Sequence, residues 1–506
     1  MNGPGPSYRP LDIASGVRAN ADRLPDKTAL RQGEVSLTYS DLGARMNRLA
    51  NGIVAAGVTP GSTIALLSAN RPEYFDVVAG ASSMGAAVAT INPRQTETEI
   101  AAILDDCDPK LIFSDPASAE KVRASTKARV HIFGDAYEDW LKRASDRAPN
   151  PLPEEWETFA IPYTSGTTGQ PKGVCLSHRS RVISFFVFAS IYGCFGPRDR
   201  FLVTTPLFHG GGFAFPMASL FLGGEVELMP AYAPDILLDR MTSGGNTGTF
   251  VVPTQLHGLF DLPERDLARL SEHNFRSIIC NAAPLPEETK HKALEHFGDG
   301  CLHETYGSTE AGVVTNLYPD EMRRKQNCAG RPIAGQHVRL LGEDGAPVAA
   351  SEIGELFSNG PTLFNGYLNK PEETAASFRD GWFSAGDLAR EDEEGFIHIM
   401  DRKKDMILSG GVNIYPRDIE EVLYTLPGIA EAAVVGVPDR RWGEAVCAFL
   451  RPVDTPPEEQ AVLAACRAGL APHKVPKTIR FVEEIPRNAA GKVLKRALRN
   501  RWEVDA

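Results

Sequence analysis

The sequence predicts an α/β protein with largely parallel sheets, followed by a shorter α+β unit. Two observations carry this: helical and strand-like patterns alternate through the first 120 residues, and the texture changes near residue 400. Leu42, Met46, Leu49 and Ile53 recur at helical spacing, with Ser40 as N-cap and Gly57 as stop. A β-branched apolar run at 63–67 predicts a strand, 74–84 an apolar helix, and 87–91 a second short strand. The Pro-rich acidic stretch 149–156 reads as a surface connection. A dense charge run, Asp401-Arg402-Lys403-Lys404-Asp405, marks a boundary between a unit of residues 1–400 and one of 406–506. Beyond it, 408–413 is Gly-rich, 418–423 helical and 432–437 strand-like.

Composition narrows the function. The chain has 506 residues, enough for about two to four folding units, and 42% apolar residues, ordinary for a globular protein. A net charge of −12 gives no support to nucleic-acid binding. The eight cysteines include no C-x-x-C pair, which fits buried or indifferent thiols in a reducing compartment. The first ten residues lack an apolar signal segment, and the most apolar stretch, 182–195, is too short to span a bilayer and reads as a buried helix. The expectation is a cytoplasmic protein with no integral membrane segment, monomeric or homodimeric.

The chemistry concentrates in residues 163–173, Tyr-Thr-Ser-Gly-Thr-Thr-Gly-Gln-Pro-Lys-Gly. Glycines let backbone N–H groups approach an anion, hydroxyls donate further hydrogen bonds, and a lysine supplies charge: the parts of a phosphate cradle. Pro171 stands where a Walker A loop has its second glycine, so this is a different cradle. The same composition also suits a plain surface loop.

The order of residues resembles the signature loop of the adenylate-forming superfamily, which includes acyl-CoA synthetases, luciferases and peptide-synthetase adenylation domains. Four further segments carry the resemblance in the family's order. Glu304-Thr305-Tyr306-Gly307-Ser308-Thr309-Glu310 and Gly381-Trp382-Phe383-Ser384-Ala385-Gly386-Asp387 resemble its second and third core motifs. Asp401 to Asp405 with Ser409-Gly410-Gly411 resembles its hinge and following loop, and Pro486-Arg487-Asn488-Ala489-Ala490-Gly491-Lys492 its C-terminal catalytic loop. The resemblance implies a large N-terminal domain of two α/β subdomains plus a distorted β-barrel, a hinge at 401–405, and a small mobile α+β C-terminal domain. It implies an ATP-dependent acyl-CoA synthetase that uses Mg²⁺ and CoA. An acid and ATP give acyl-AMP and diphosphate, and a thiol then takes the acyl group.

Residue roles follow by position. Thr164, Ser165, Gly166, Thr167, Thr168, Gly169 and Lys172 would hold the β- and γ-phosphates. Glu310 would contact Mg²⁺, which favours a carboxylate with phosphate oxygens and water; Thr309 would touch the α-phosphate. Within the nucleotide site, which includes Glu304, Thr305 and Gly307, Tyr306 would stack on adenine, with the backbone of Ala282, Ala283 and Pro284 opposite. Asp387 would take the ribose hydroxyls, with Arg402 as a second ribose contact. Lys492 would bridge the carboxylate and the α-phosphate. Lys404 would be the pivot that brings Ser409, Gly410 and Gly411 to a thiol tunnel, and Trp442 would contact the nucleotide end of CoA. For the acid, His209 would gate a pocket walled by Phe213, Asn281, Ala282, Gly307 and Val313.

Departures from particular branches narrow the acid. Phe213, Ala214 and Phe215 offer no aspartate for an amine, and Thr305 stands where malonate-type members carry arginine. A medium-chain or aromatic monocarboxylic acid is the expectation. Fourteen residues follow Lys492, so no carrier domain is expected and CoA is the thiol. Loading of a separate carrier protein and luciferase-like oxygenation are the alternatives, separable by thiol preference and by oxygen uptake.

Overall fold

The structure is a computed structural model and describes residues 10–149, 153–165, 171–487 and 493–505. Two large, mostly parallel sheets dominate. Among the described residues one has seven strands, with Thr63–Leu67 and Ala87–Ile91 paired in parallel at its centre and the hairpin Thr158–Ser165/Pro171–Ser177 beside them. The other has nine, with Arg200–Val203, Gly248–Val251, Ser277–Cys280 and Leu302–Ser308 running in parallel order.

Burial on both faces explains the apolar runs. Ile64 and Leu66 join a core shared with Phe201, Val203 and Val226 of the nine-stranded sheet, whereas Ala65 and Leu67 join a second core with Ile100, Ile103 and Leu104. The shared core also takes side chains from helices Tyr39–Ala55, Glu73–Ser82, His178–Tyr192 and Gly210–Leu222. These helices therefore lie between the sheets. Helix Tyr39–Ala55 has its cap two residues before the predicted one: Thr38, not Ser40, caps it, because Asp41 closes a reciprocal capping box with Thr38.

A six-stranded antiparallel sheet spans residues 337–402. Its pairings among the described residues form an open sheet, where a distorted barrel was expected. It ends on strand Ile397–Arg402, and a fourth sheet of five strands follows from Ile407. There Gly410 and Gly411, both at positive φ, turn the hairpin Ile407–Ser409/Val412–Ile414, as a tight two-residue turn demands. All eight cysteines are free thiols. No described helix is long and apolar enough to cross a membrane.

Candidate active site

Asp387 is a buried carboxylate with two side-chain partners. Gly386, at φ +78°, turns the chain so that Asp387 begins strand Asp387–Glu391, in register with Arg402. Arg402 Nε lies 3.2 Å from Asp387 Oδ1, and the Tyr306 hydroxyl donates to Oδ2 at 2.7 Å. One carboxylate is thus held by a cation and a phenol from two sheets. Burial and the neighbouring Asp387 push the Tyr306 phenol well up, so it remains a donor.

The turn after Tyr306 carries Thr309 and Glu310. It is the three-residue loop of hairpin Leu302–Ser308/Gly312–Leu317, with Gly312 at φ +73°. Gly307 must be glycine, because a Cβ there would lie 2.0 Å from the Gly312 carbonyl. Glu310 Oε1 accepts from the Tyr367 hydroxyl at 2.9 Å. The Tyr367 ring is also 5.0 Å from Lys172 Nζ, and Lys172 is ion-paired with Glu373. Thr164 and Lys172 face each other across the hairpin whose tip is the expected phosphate loop. Gly166, Thr167, Thr168 and Gly169 at that tip lie outside the described residues, as does Lys492; Ser165 is described by its backbone alone.

Glu304 is buried against Lys290, with Nζ 3.5 Å from Oε2, and burial pushes its carboxyl up despite that cation. Thr305 Oγ1 accepts from Asn281 Nδ2 at 2.6 Å. Ala282, Ala283 and Pro284 are exposed, Ala282 at φ +77°, a strained conformation for alanine. Lys404 is exposed, and Ser409 pairs with Gly443 in the last sheet. Trp442 covers Gly410, where a Cβ would sit 2.8 Å from its ring. Gly410 and Gly411 face solvent rather than the Asp387 cluster.

The acid pocket is partly assembled. His209 caps helix Gly210–Leu222 and shares a cavity with Gly210, Phe213, Val78, Phe185 and Leu207. Phe213 stacks on Phe75 at 5.8 Å. The free interior is about 20 Å³, room for one water, so an acid must displace side chains to enter. Asn281, Ala282, Gly307 and Val313 do not line this cavity. The glycines after His209 have distinct causes. A Cβ on Gly210 would meet Thr309 Oγ1 at 3.2 Å, on Gly211 the Phe250 ring at 3.0 Å, and on Gly212 the Pro206 carbonyl at 2.0 Å. Sequence reading missed Phe250, Tyr367 and Arg181, which stand outside the recognised motifs.

Residues 17–368 match the family model of the AMP-binding enzyme, and 418–492 that of the AMP-binding enzyme C-terminal domain. The chain belongs to the AMP-binding enzyme family. It falls in the acyl-CoA synthetase branch and is an acid–thiol ligase, with ATP, Mg²⁺ and CoA as its cofactors. It is 37% identical over 486 residues to a feruloyl-CoA synthase of Amycolatopsis sp, covering 94% of this chain and 96% of that one. It is 34% identical to an indoleacetate–CoA ligase of Aromatoleum aromaticum, covering 96% and 97%. ATP-bound MatB from Rhodopseudomonas palustris superposes with TM-score 0.91 at 30% identity, covering 98% and 99%. The apo form of MatB superposes with TM-score 0.78 at 30% identity, covering 98% and 100%.

Proposed function

We propose that the ligase activates an aromatic or medium-chain monocarboxylic acid and transfers it to CoA. The observation that carries this is the cavity beside His209, whose polar side chains are Thr90, Arg181 and His209 and whose remaining walls are apolar or small. Such walls suit an apolar acid body once side chains have moved aside to admit it. The two relatives named for aromatic acids support the aryl half of the reading.

The first half-reaction joins a carboxylate oxygen to the α-phosphorus of ATP and breaks the bond to diphosphate. It needs positioning and charge neutralisation more than covalent help. Asp387, held by Tyr306 and Arg402, accepts hydrogen bonds from the ribose diol. Thr164 and Lys172 flank the phosphates from the loop end of the hairpin, and Lys492 brings charge to the carboxylate and α-phosphate. Thr309 touches the α-phosphate. Mg²⁺, when bound, neutralises phosphate charge. Glu310 fits as its contact: it is a single carboxylate held by the Tyr367 hydroxyl, and Mg²⁺ takes one or two carboxylates together with phosphate oxygens and water. In the second half-reaction the CoA sulfur bonds to the acyl carbon and AMP leaves. We assign the change of domain arrangement between steps to the hinge at 401–405, with Lys404 as pivot, Ser409, Gly410 and Gly411 moving to the acyl group, and Trp442 meeting the CoA nucleotide.

The test is AMP release from ATP·Mg²⁺ with fatty, aryl and arylalkanoic acids, each with and without CoA. AMP formed with aryl or medium-chain acids and CoA supports the reading. Turnover confined to short or dicarboxylic acids, or to a carrier-protein thiol, defeats it.

A further inference from the structure

Arg181 lies on helix His178–Tyr192, outside every recognised motif, and is 6% exposed. It forms no ion pair with a carboxylate among the described residues. A buried guanidinium without a carboxylate is costly unless its donors are used. Its donors reach two loops: Nη2 donates to the Thr309 carbonyl at 2.6 Å and Nη1 to the Thr362 carbonyl at 3.0 Å.

These bonds belong to a larger arrangement. The Glu310 carbonyl accepts from the Phe364 amide at 2.8 Å, and the Ala311 carbonyl from Thr362 Oγ1 at 2.6 Å. Thr362 Oγ1 is itself fixed by Gln336 Nε2 at 2.5 Å. All three successive carbonyls of the 309–311 loop are therefore tied from outside the hairpin. A three-residue hairpin loop closes by its own strands and needs no cation. Burial lowers the Arg181 pKa to about 10, and Glu310 is the charge that opposes this. At neutral pH the guanidinium stays charged beside the carboxylate it helps to place.

We propose that Arg181 is a positioning residue for adenylation, tying the 309–311 loop to the 362–364 segment so that Thr309 and Glu310 are fixed before nucleotide binds. This rests on the reading of Glu310 as the metal contact. Preorganisation of this kind acts on the bound nucleotide–metal complex, where small displacements are expensive in rate.

The test uses the full-length ligase and four variants: Arg181→Met, Arg181→Lys, Thr362→Val and Glu310→Gln. Binding of ATP·Mg²⁺ without acid is followed by calorimetry, and the Mg²⁺ dependence of acyl-AMP formation by single turnover. Arg181→Met is expected to weaken ATP·Mg²⁺ binding and raise the half-saturating Mg²⁺ about tenfold. Arg181→Lys recovers part of the loss, since lysine keeps the charge but lacks the planar fork that bridges two carbonyls. Thr362→Val keeps Arg181 but frees the Ala311 carbonyl, and shifts the Mg²⁺ requirement the same way by about threefold. Wild-type Mg²⁺ requirements in Arg181→Lys and Thr362→Val, with Glu310→Gln raised, overturn the inference alone. An unchanged requirement in Glu310→Gln overturns the metal reading and the inference with it.

Discussion

The carboxylate of Asp401 caps the helix on which Arg417 lies. The Arg417 amide donates to Asp401 Oδ2 at 3.2 Å, and Oδ1 takes the Arg402 amide at 2.7 Å. Helix Pro416–Tyr424 has Tyr415 at its N-cap position and no side-chain cap there. Arg417 Nη1 also donates to the Ile399 carbonyl at 2.6 Å. The first turn of a C-terminal helix is thus completed from the strand that precedes the 401–405 segment.

If the chain pivots within 401–405, this cap exists in one arrangement only. Asp401→Ala should remove about 1 kcal/mol from that arrangement, about fivefold in its population. Acyl-AMP formation should slow accordingly, while thioester formation from supplied acyl-AMP should hold. Asp401→Asn keeps an acceptor and should sit near wild type. Single-turnover rates of both half-reactions check this; equal slowing of the two would sink the conformational account.

Lys492 should separate the half-reactions more sharply. Lys492→Ala should cut adenylation by about 10²–10³, the scale of losing one donor at developing charge. Transfer from supplied acyl-AMP should change little. Comparable losses in both steps would remove Lys492 from its assigned role.

Lys172 is engaged before any phosphate arrives, ion-paired with Glu373 and set against the Tyr367 ring. The hydrogen bond from Lys172 holds the Glu373 carboxyl below its usual range. Phosphate must compete with that carboxylate. Glu373→Gln should therefore tighten ATP binding, by up to about fivefold for a partly exposed pair. Equilibrium ATP titration decides; weaker binding would mean that Glu373 holds Lys172 in place rather than competing for it.

Much of this arrangement was legible in the sequence because it is local. The strands at 63–67 and 87–91 announce themselves as apolar runs buried on both faces. What escaped is long-range. Tyr306 meets Asp387 across 81 residues, and Arg181 meets Thr309 and Thr362 across 128 and 181. No periodicity carries such pairings. The acid pocket escaped for another reason. The three glycines after His209 leave no spare room, because Thr309, Phe250 and the Pro206 carbonyl occupy the space a side chain would take. Ser40 lost the cap position to Thr38 because a capping box needs its acidic partner three residues on, which is Asp41.

Acid should destabilise the fold through His178. This ring is fully buried, lies tilted with its centroid 5.5 Å from that of Phe159, and accepts the Ile13 amide on Nδ1 at 3.2 Å. It is therefore neutral, with its proton on Nε2. Burial, aided by Arg18, lowers its pKa from 6.5 to about 3. Between these values the unfolded chain binds a proton that the folded chain refuses, so stability falls as pH falls below 6.5. The slope approaches about 1.4 kcal/mol per pH unit for this group alone. His131, half-buried, and His303, buried, are both lowered to about 4 by desolvation and add to it in the same direction. His178→Gln keeps an acceptor for the Ile13 amide and removes one titrating group. Urea midpoints of wild type and variant, measured from pH 7.5 to 4.5, should converge as pH falls, because the wild type loses more. Parallel curves across that range would mean that His178 is protonated without strain in the folded protein.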